Sequence, residues 1–176
     1  MRSATFALFI GIAYLSAGLL GLIPAALMPA PADAPPIRLN VLYGYVLGLF
    51  PVNVLHSAVH LAIGAWGIMA WRSDHLGRGM GSPKMYARAL AIFYGALAVL
   101  GVIPGMNTLF GMLPLHGHDV WLHAGTAASA AYFGWRTETW VERRASAASD
   151  RREQAMLVAN DRRAGHADRR APGSEV

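Results

Sequence analysis

Four long stretches of the chain carry almost no charge: Thr5 to Leu27, Val41 to Trp71, Ala89 to Met106 and Val120 to Trp135. One bilayer crossing by an α-helix needs about 20 apolar residues. The shortest stretch approaches that length once the flanking Asp119 and Thr137 are counted. The pattern therefore predicts an all-α integral membrane four-helix bundle, with helices at about 5–27, 51–72, 88–106 and 117–137. Residues 138–176 mix arginine, acidic residues and alanine, which predicts a basic tail, helical at first as a continuation of the fourth helix and disordered over its last dozen residues.

The chain begins MRSATFALFIGIAYLSAGLL, with a basic residue ahead of an apolar run, as a secretory leader does, and Ala32-Asp33-Ala34 imitates a cleavage site. The run is longer than the roughly 7 to 15 residues of a leader core. Pro35 directly after the site would also make a poor substrate. A retained first helix is expected.

Internal repetition sharpens the architecture. GIAYLSAGLLGLIP (11–24) aligns with AIFYGALAVLGVIP (91–104), bringing Tyr14 onto Tyr94 and Pro24 onto Pro104. NVLYG (40–44) matches NTLFG (107–111), and GLFPVNVLHSAVH (48–60) lies without gaps on GMLPLHGHDVWLH (111–123), so His60 falls on His123 and His56 on Asp119. Three matches in the same order predict two parallel helix-hairpin repeats related by an axis along the membrane normal. The small-residue runs AIGAWG and AGTAASAA predict close approach of the second helix to the fourth. The proline-rich MPAPADAPPIRLN is expected to be an extended outer loop.

Charge sets the orientation. Fourteen of the fifteen basic residues lie before the first stretch, between the second and third, or after the fourth; only Arg38 lies elsewhere. The positive-inside rule then puts both termini in the cytoplasm. The net charge of +5 is explained by this distribution, so nucleic acid is not expected as a partner and the arginine-rich tail is expected to meet anionic headgroups. There are no cysteines, which excludes disulfide and thiolate chemistry.

The ionisable residues inside the apolar stretches carry the candidate chemistry. His56 and His60 are four apart, as are Asp119 and His123, so each pair lies on one helix face. Counted from Pro51 and Pro114, His60 and His123 lie about 13 Å below the outer boundary, and counted from Pro24 and Pro104, Tyr14 and Tyr94 lie about 15 Å below it. These four form one layer, with His56 and Asp119 above it and Asn53 higher still. Two uses follow. The histidines could hydrogen-bond Tyr14 and Tyr94 and serve packing alone, in which case they should point apart. Alternatively, imidazole and carboxylate could converge on a metal, a haem, or a quinone and proton path. His116 and His118 are expected to be solvated loop residues, and His75 and His166 carry no signal.

No reaction signature accompanies these residues, and a non-enzymatic role is favoured. HxxxH lacks the glutamate of a zinc protease, Ser57 beside the histidines is no nucleophile constellation, and GRGMGSPK (77–84) lacks the phosphate-loop pattern and is expected to be a flexible loop.

GLFPVNVLHSAVHLAIGAWG and GMLPLHGHDVWLHAGTAASAAYFGW resemble a bacterial membrane family known as domain of unknown function 4383, which has P-V-N-x-x-H-x-x-x-H in its second helix and D-x-x-x-H in its fourth. The resemblance covers about residues 5–137 and implies a multi-pass protein of the bacterial inner membrane. It implies Asn53, His56, His60, Asp119 and His123 as family-type positions, and it supplies no reaction. The architecture is also similar to that of DoxX-like membrane proteins, some linked to quinone or thiol redox, by analogy only. The lipid bilayer is the one partner implied; self-association stays open.

Overall fold

The computed structural model describes residues 2–73, 81–136 and 140–168. The chain divides into two units, 1–136 and 137–176. The first holds α1 (Ser3–Leu20), α2 (Val54–Arg72), α3 (Pro83–Val102) and α4 (His118–Trp135); the second holds α5 (Trp140–Asp168). By length and composition α1, α2 and α3 could each cross a membrane. Their outward faces agree, since Phe9, Met69 and Ile92, one on each, are all more than 60% exposed, an apolar surface that suits lipid rather than water.

Helix ends follow local chemistry more closely than hydropathy. α1 stops at Leu20, short of the expected Leu27, because Pro24 has no N–H to give and starts a separate 3-10 turn, Pro24–Ala26. α3 starts at Pro83, ahead of the expected position 88. The Ser82 hydroxyl accepts the Met85 N–H at 3.1 Å, and Pro83 takes the first helical position, where no N–H is missed. α3 ends at Val102 rather than 106, just before Pro104 and the left-handed Gly105. α4 ends at Trp135, since Arg136 is extended (ψ 137°), so the expected continuation into the tail does not occur there. The flexible loop expected over 77–84 lies outside the described residues up to 80, and Ser82 to Lys84 form the start of α3. In the second unit α5 is helical as far as Asp168. The disorder expected for the last dozen residues therefore does not hold at 165–168, and 169–176 lie outside the described residues.

The outer loop is not purely extended, and the fold is not purely helical. β1 (Leu27–Met28), β2 (Gly44–Val46) and β3 (Phe50–Val52) form an antiparallel sheet in that order, with Leu27 opposite Val46 and Gly44 opposite Val52. Leu47 and Gly48 turn the β2–β3 hairpin with φ of 55° and 69°, the left-handed conformation that tight hairpins require. Pro51 sits in β3, which is paired on one side only, where its missing N–H costs least.

The helices pack as consecutive pairs, α1 on α2 and α3 on α4. Small residues make this possible, and the expectation that they join the second helix to the fourth is overturned. A Cβ at Gly64 of α2 would lie 2.5 Å from the Leu15 nitrogen and 2.8 Å from the Gly11 oxygen, both on α1. On α4 the small residues serve α3, as at Gly134 against Arg88, while Gly125 meets nothing within 4 Å. The glycines are thus spent within each pair, even though the pair α1 and α2 is joined by the long segment 21–53 and the shorter segment 73–82 joins α2 to α3, which touch little. At the end of the helices away from the sheet, Arg88 Nε donates to the Gly134 carbonyl at 2.8 Å and the Ser3 hydroxyl to the Phe133 carbonyl at 2.9 Å.

Asn53 ties the outer loops to this body. Its Oδ1 accepts the His56 N–H (2.9 Å), capping α2, while Nδ2 donates to the Leu39 carbonyl (2.9 Å) and the Met112 carbonyl (2.7 Å). The side chain is fully buried. Alanine here removes a cap worth about 1 kcal/mol and leaves two carbonyls short of a donor at about 1–3 kcal/mol each. Thermal unfolding in detergent should show a large loss for Asn53→Ala and a smaller one for Asn53→Ser, which restores the cap alone. Equal losses would contradict the second function.

Candidate functional site

The first turns of α2 carry His56 and His60, and the first turns of α4 carry Asp119 and His123. Both helices start at the outer loops, so the two pairs enter the core at the same level. All four side chains are at most 3% exposed. One ligand nitrogen from each of His56, His60 and His123 can be chosen so that all lie within 4.8 Å of one another. The Asp119 carboxylate stands among them, its Oδ2 3.3 Å from His123 Nε2 and 3.8 Å from His56 Nε2. The His56 and His60 rings meet edge to face, with centroids 4.4 Å apart.

Tyr14 and Tyr94 wall the cluster from α1 and α3. Each packs on the histidine of its own helix pair, Tyr14 on His60 at 4.9 Å and Tyr94 on His123 at 5.0 Å, and the two phenols meet at 5.0 Å. These are ring contacts. The Tyr14 hydroxyl bonds the Thr126 hydroxyl instead, at 2.9 Å. Both nitrogens of His60 and His123, His56 Nδ1 and both Asp119 oxygens have no hydrogen-bond partner in the protein. Even the 3.3 Å contact of His123 with Asp119 is close without being aligned as a hydrogen bond. The arrangement in which each histidine is satisfied by its own tyrosine, and points away from the other, is therefore not the one adopted.

Buried polar groups are nearly always paired, and a buried carboxylate without a partner is costly. The three converging imidazole nitrogens, with the Asp119 carboxylate beside those of His56 and His123, suit a divalent transition ion such as zinc. At zinc–nitrogen distances of about 2.0–2.1 Å, tetrahedral ligand atoms stand about 3.3 Å apart. The two Asp119 contacts are close to that edge already, and the widest nitrogen separation must close by about 1.5 Å, within reach of side-chain rotation. A haem fits poorly. It needs a flat open slot beside its axial histidines, and the rings of Tyr14 and Tyr94, in contact at a tilt of 34°, occupy the space beside His60 and His123.

Asn53, named with the site from the sequence, acts as cap and loop tie rather than as a ligand. His116 is buried, contrary to expectation, because it tucks under Tyr45 with ring centroids 6.3 Å apart; burial holds it below its ordinary pKa of 6.5. His118 is exposed as expected. Thr126 was passed over. It lies seven residues after Asp119, one turn beyond His123 on the same stripe, so extending the stripe would have found it.

A mostly helical body with membrane-length apolar helices and a buried histidine–aspartate cluster defines the class, a membrane protein with a polar site in its core. A family model described as domain of unknown function 4383 matches residues 4–136, and the chain belongs to that family. No curated protein and no solved structure matches it.

Proposed function

We propose that this is a multi-pass protein of a bacterial inner membrane that holds a divalent transition-metal ion between α2 and α4, on His56, His60, His123 and Asp119. The observation that carries the reading is the convergence of three buried imidazoles, all within 4.8 Å, around a carboxylate with no protein partner. A bound ion would use those lone pairs and offset the carboxylate charge, and could act as a Lewis acid or stabilise the fold.

The architecture proposed is a four-helix transmembrane domain over 1–137 and a cytoplasmic basic tail over 138–176. α4 is the least apolar of the four helices because it carries His118, Asp119 and His123. Two of these face the core, and Trp121, 77% exposed, faces outward, as in a span whose polar residues line an interior. Two matched hairpins are supported by more than sequence. Leu42 and Leu109, equivalent in NVLYG and NTLFG, both take left-handed φ, 53° and 43°, a rare choice for leucine. The Tyr14–His60 and Tyr94–His123 contacts repeat in the same way.

Elemental analysis of detergent-purified protein tests the ion. About one equivalent of zinc, or of another first-row metal, is expected in the wild type and much less in His60→Ala. Metal-free protein that also takes up none on dialysis would refute the proposal. For topology, a reporter that fluoresces only in the cytoplasm should be active when fused after Val176; silence there, with activity from an outer-loop fusion near Asp33, would reverse the orientation.

A further inference from the structure

A side cavity of about 310 Å³ lies between α1, α4 and the β2–β3 hairpin and ends at His60 and Asp119. We infer that it admits a membrane-borne amphiphile, a single hydrocarbon chain ending in a compact, uncharged oxygen-bearing head, with the head against His60 and Asp119. The inference rests on the membrane-spanning reading of α1 and α4 and does not require the ion.

Three observations carry it. The wall is almost wholly apolar along its length, with Ile10 and Ala17 from α1, Val46 and Phe50 from the hairpin and Leu122 from α4. Apart from the exposed Ser16, hydrogen-bonding capacity among the lining residues is left over at the His60 and Asp119 end. Tyr14 and Thr126, which also line the cavity, satisfy each other at 2.9 Å, whereas both His60 nitrogens and both Asp119 oxygens are unpaired. The wall contributed by α1 is reached from outside the protein, since Ala13, Ser16 and Leu20 along it are exposed, and on a spanning helix the outside is lipid. A water-soluble polar ligand would bring polar groups against apolar walls, and a plain hydrocarbon would leave His60 and Asp119 unpaired. An amphiphile satisfies both ends. A hydroxyl or carbonyl head is favoured over an anionic one because a buried charge is costly unless paired, and no lysine or arginine is among the residues that line the cavity. The volume is at the low end for small-molecule pockets, about 300–1,000 Å³, which suits one chain and not a two-chain phospholipid.

The test is photolabelling of the full-length protein in nanodiscs with a diazirine-bearing hexadecanol, read by peptide mass spectrometry. Label is expected to concentrate on residues 10–20, 46–52 and 119–126, and to be displaced by excess hexadecanol. Ala17→Trp, which fills the wall, should lower it about fivefold or more, whereas Ala62→Trp, in the groove between α2 and α3, should not. Should Ala17→Trp fail to fold, Ala13→Phe takes its place. Label spread evenly over all lipid-facing segments, indifference to competitor, or equal labelling in the filled variant would overturn the inference. Stronger labelling by a diazirine-bearing palmitic acid would overturn the uncharged head. Metal content measured on the same samples separates the two proposals: cavity labelling in metal-free protein leaves this one standing while the ion fails.

Discussion

His123→Ala is expected to lower affinity for zinc by at least about a hundredfold, since loss of a residue that only supports a ligand already costs about 10–100-fold. His123 is fully buried, 3.3 Å from Asp119 and in ring contact with Tyr94. Its loss removes a donor that solvent is badly placed to replace. Asp119→Asn should weaken binding comparably by a different route: the side chain keeps its shape and loses the charge that balances the ion. The pattern across variants is more telling than any one value. His118→Ala should bind zinc as the wild type does, because His118 is exposed. Tyr94→Phe should change affinity little, because Tyr94 meets His123 through its ring. Affinity should also fall on acidification, since imidazole binds metal only when unprotonated. Competition with a chromophoric chelator measures all of these. A His118→Ala defect as deep as that of His123→Ala would move the site to the surface and defeat the assignment.

The second large effect is on folding. Gly64→Val should abolish accumulation of folded protein, and Gly64→Ala should sharply reduce it. A Cβ there would stand 2.5 Å from the Leu15 nitrogen and 2.6 Å from Leu15 Cγ, on a helix whose own Gly11 already sets the closest approach. Real Cβ atoms do not approach backbone so closely, and the pair must separate. Overpacking a well-filled contact commonly costs about 1–3 kcal/mol and occasionally more, and here the obstacle is backbone as well as side chain. Gly125→Ala is the matched control on α4, where a Cβ meets nothing within 4 Å. It should be neutral or stabilising by about 0.4–1 kcal/mol. Size-exclusion profiles and thermal unfolding in detergent distinguish the outcomes, and equal behaviour of the two alanine variants would disprove the packing account.

Helical spacing made the site legible before any coordinates. His56/His60 and Asp119/His123 recur every fourth residue, so each pair had to share a face, and counting from the prolines put His60, His123, Tyr14 and Tyr94 in one layer. The contacts among them fall where that count places them. What spacing could not say is how the rings turn. Whether His60 points to Tyr14 through a nitrogen or through a ring edge depends on side-chain torsions, and Thr126 intervenes by taking the Tyr14 hydroxyl. The outer loops were harder to read. Strands of two and three residues are too short to show an alternation, and the hairpin turn at Leu47 and Gly48 puts a leucine where sequence rules expect asparagine or aspartate. Helix partners were misjudged because small residues announce a close contact without naming the neighbour, and connection length does not name it either, since the long 21–53 segment joins a closely packed pair and the shorter 73–82 segment does not.

One feature of the packing bears on assembly. α1 leans on α2 and α3 on α4, while α2 and α4 make few backbone contacts with each other and face one another across the histidines and Asp119. An ion at that place would add a link between two hairpins that the Ser3–Phe133 and Tyr14–Thr126 hydrogen bonds and the Tyr14–Tyr94 contact already join. Binding adds stability as RT ln(1 + [L]/Kd), about 2.7 kcal/mol at a hundred times Kd, and the gain would fall on the seam between the halves. Removing the ion would then be expected to weaken that seam ahead of the contacts within each hairpin.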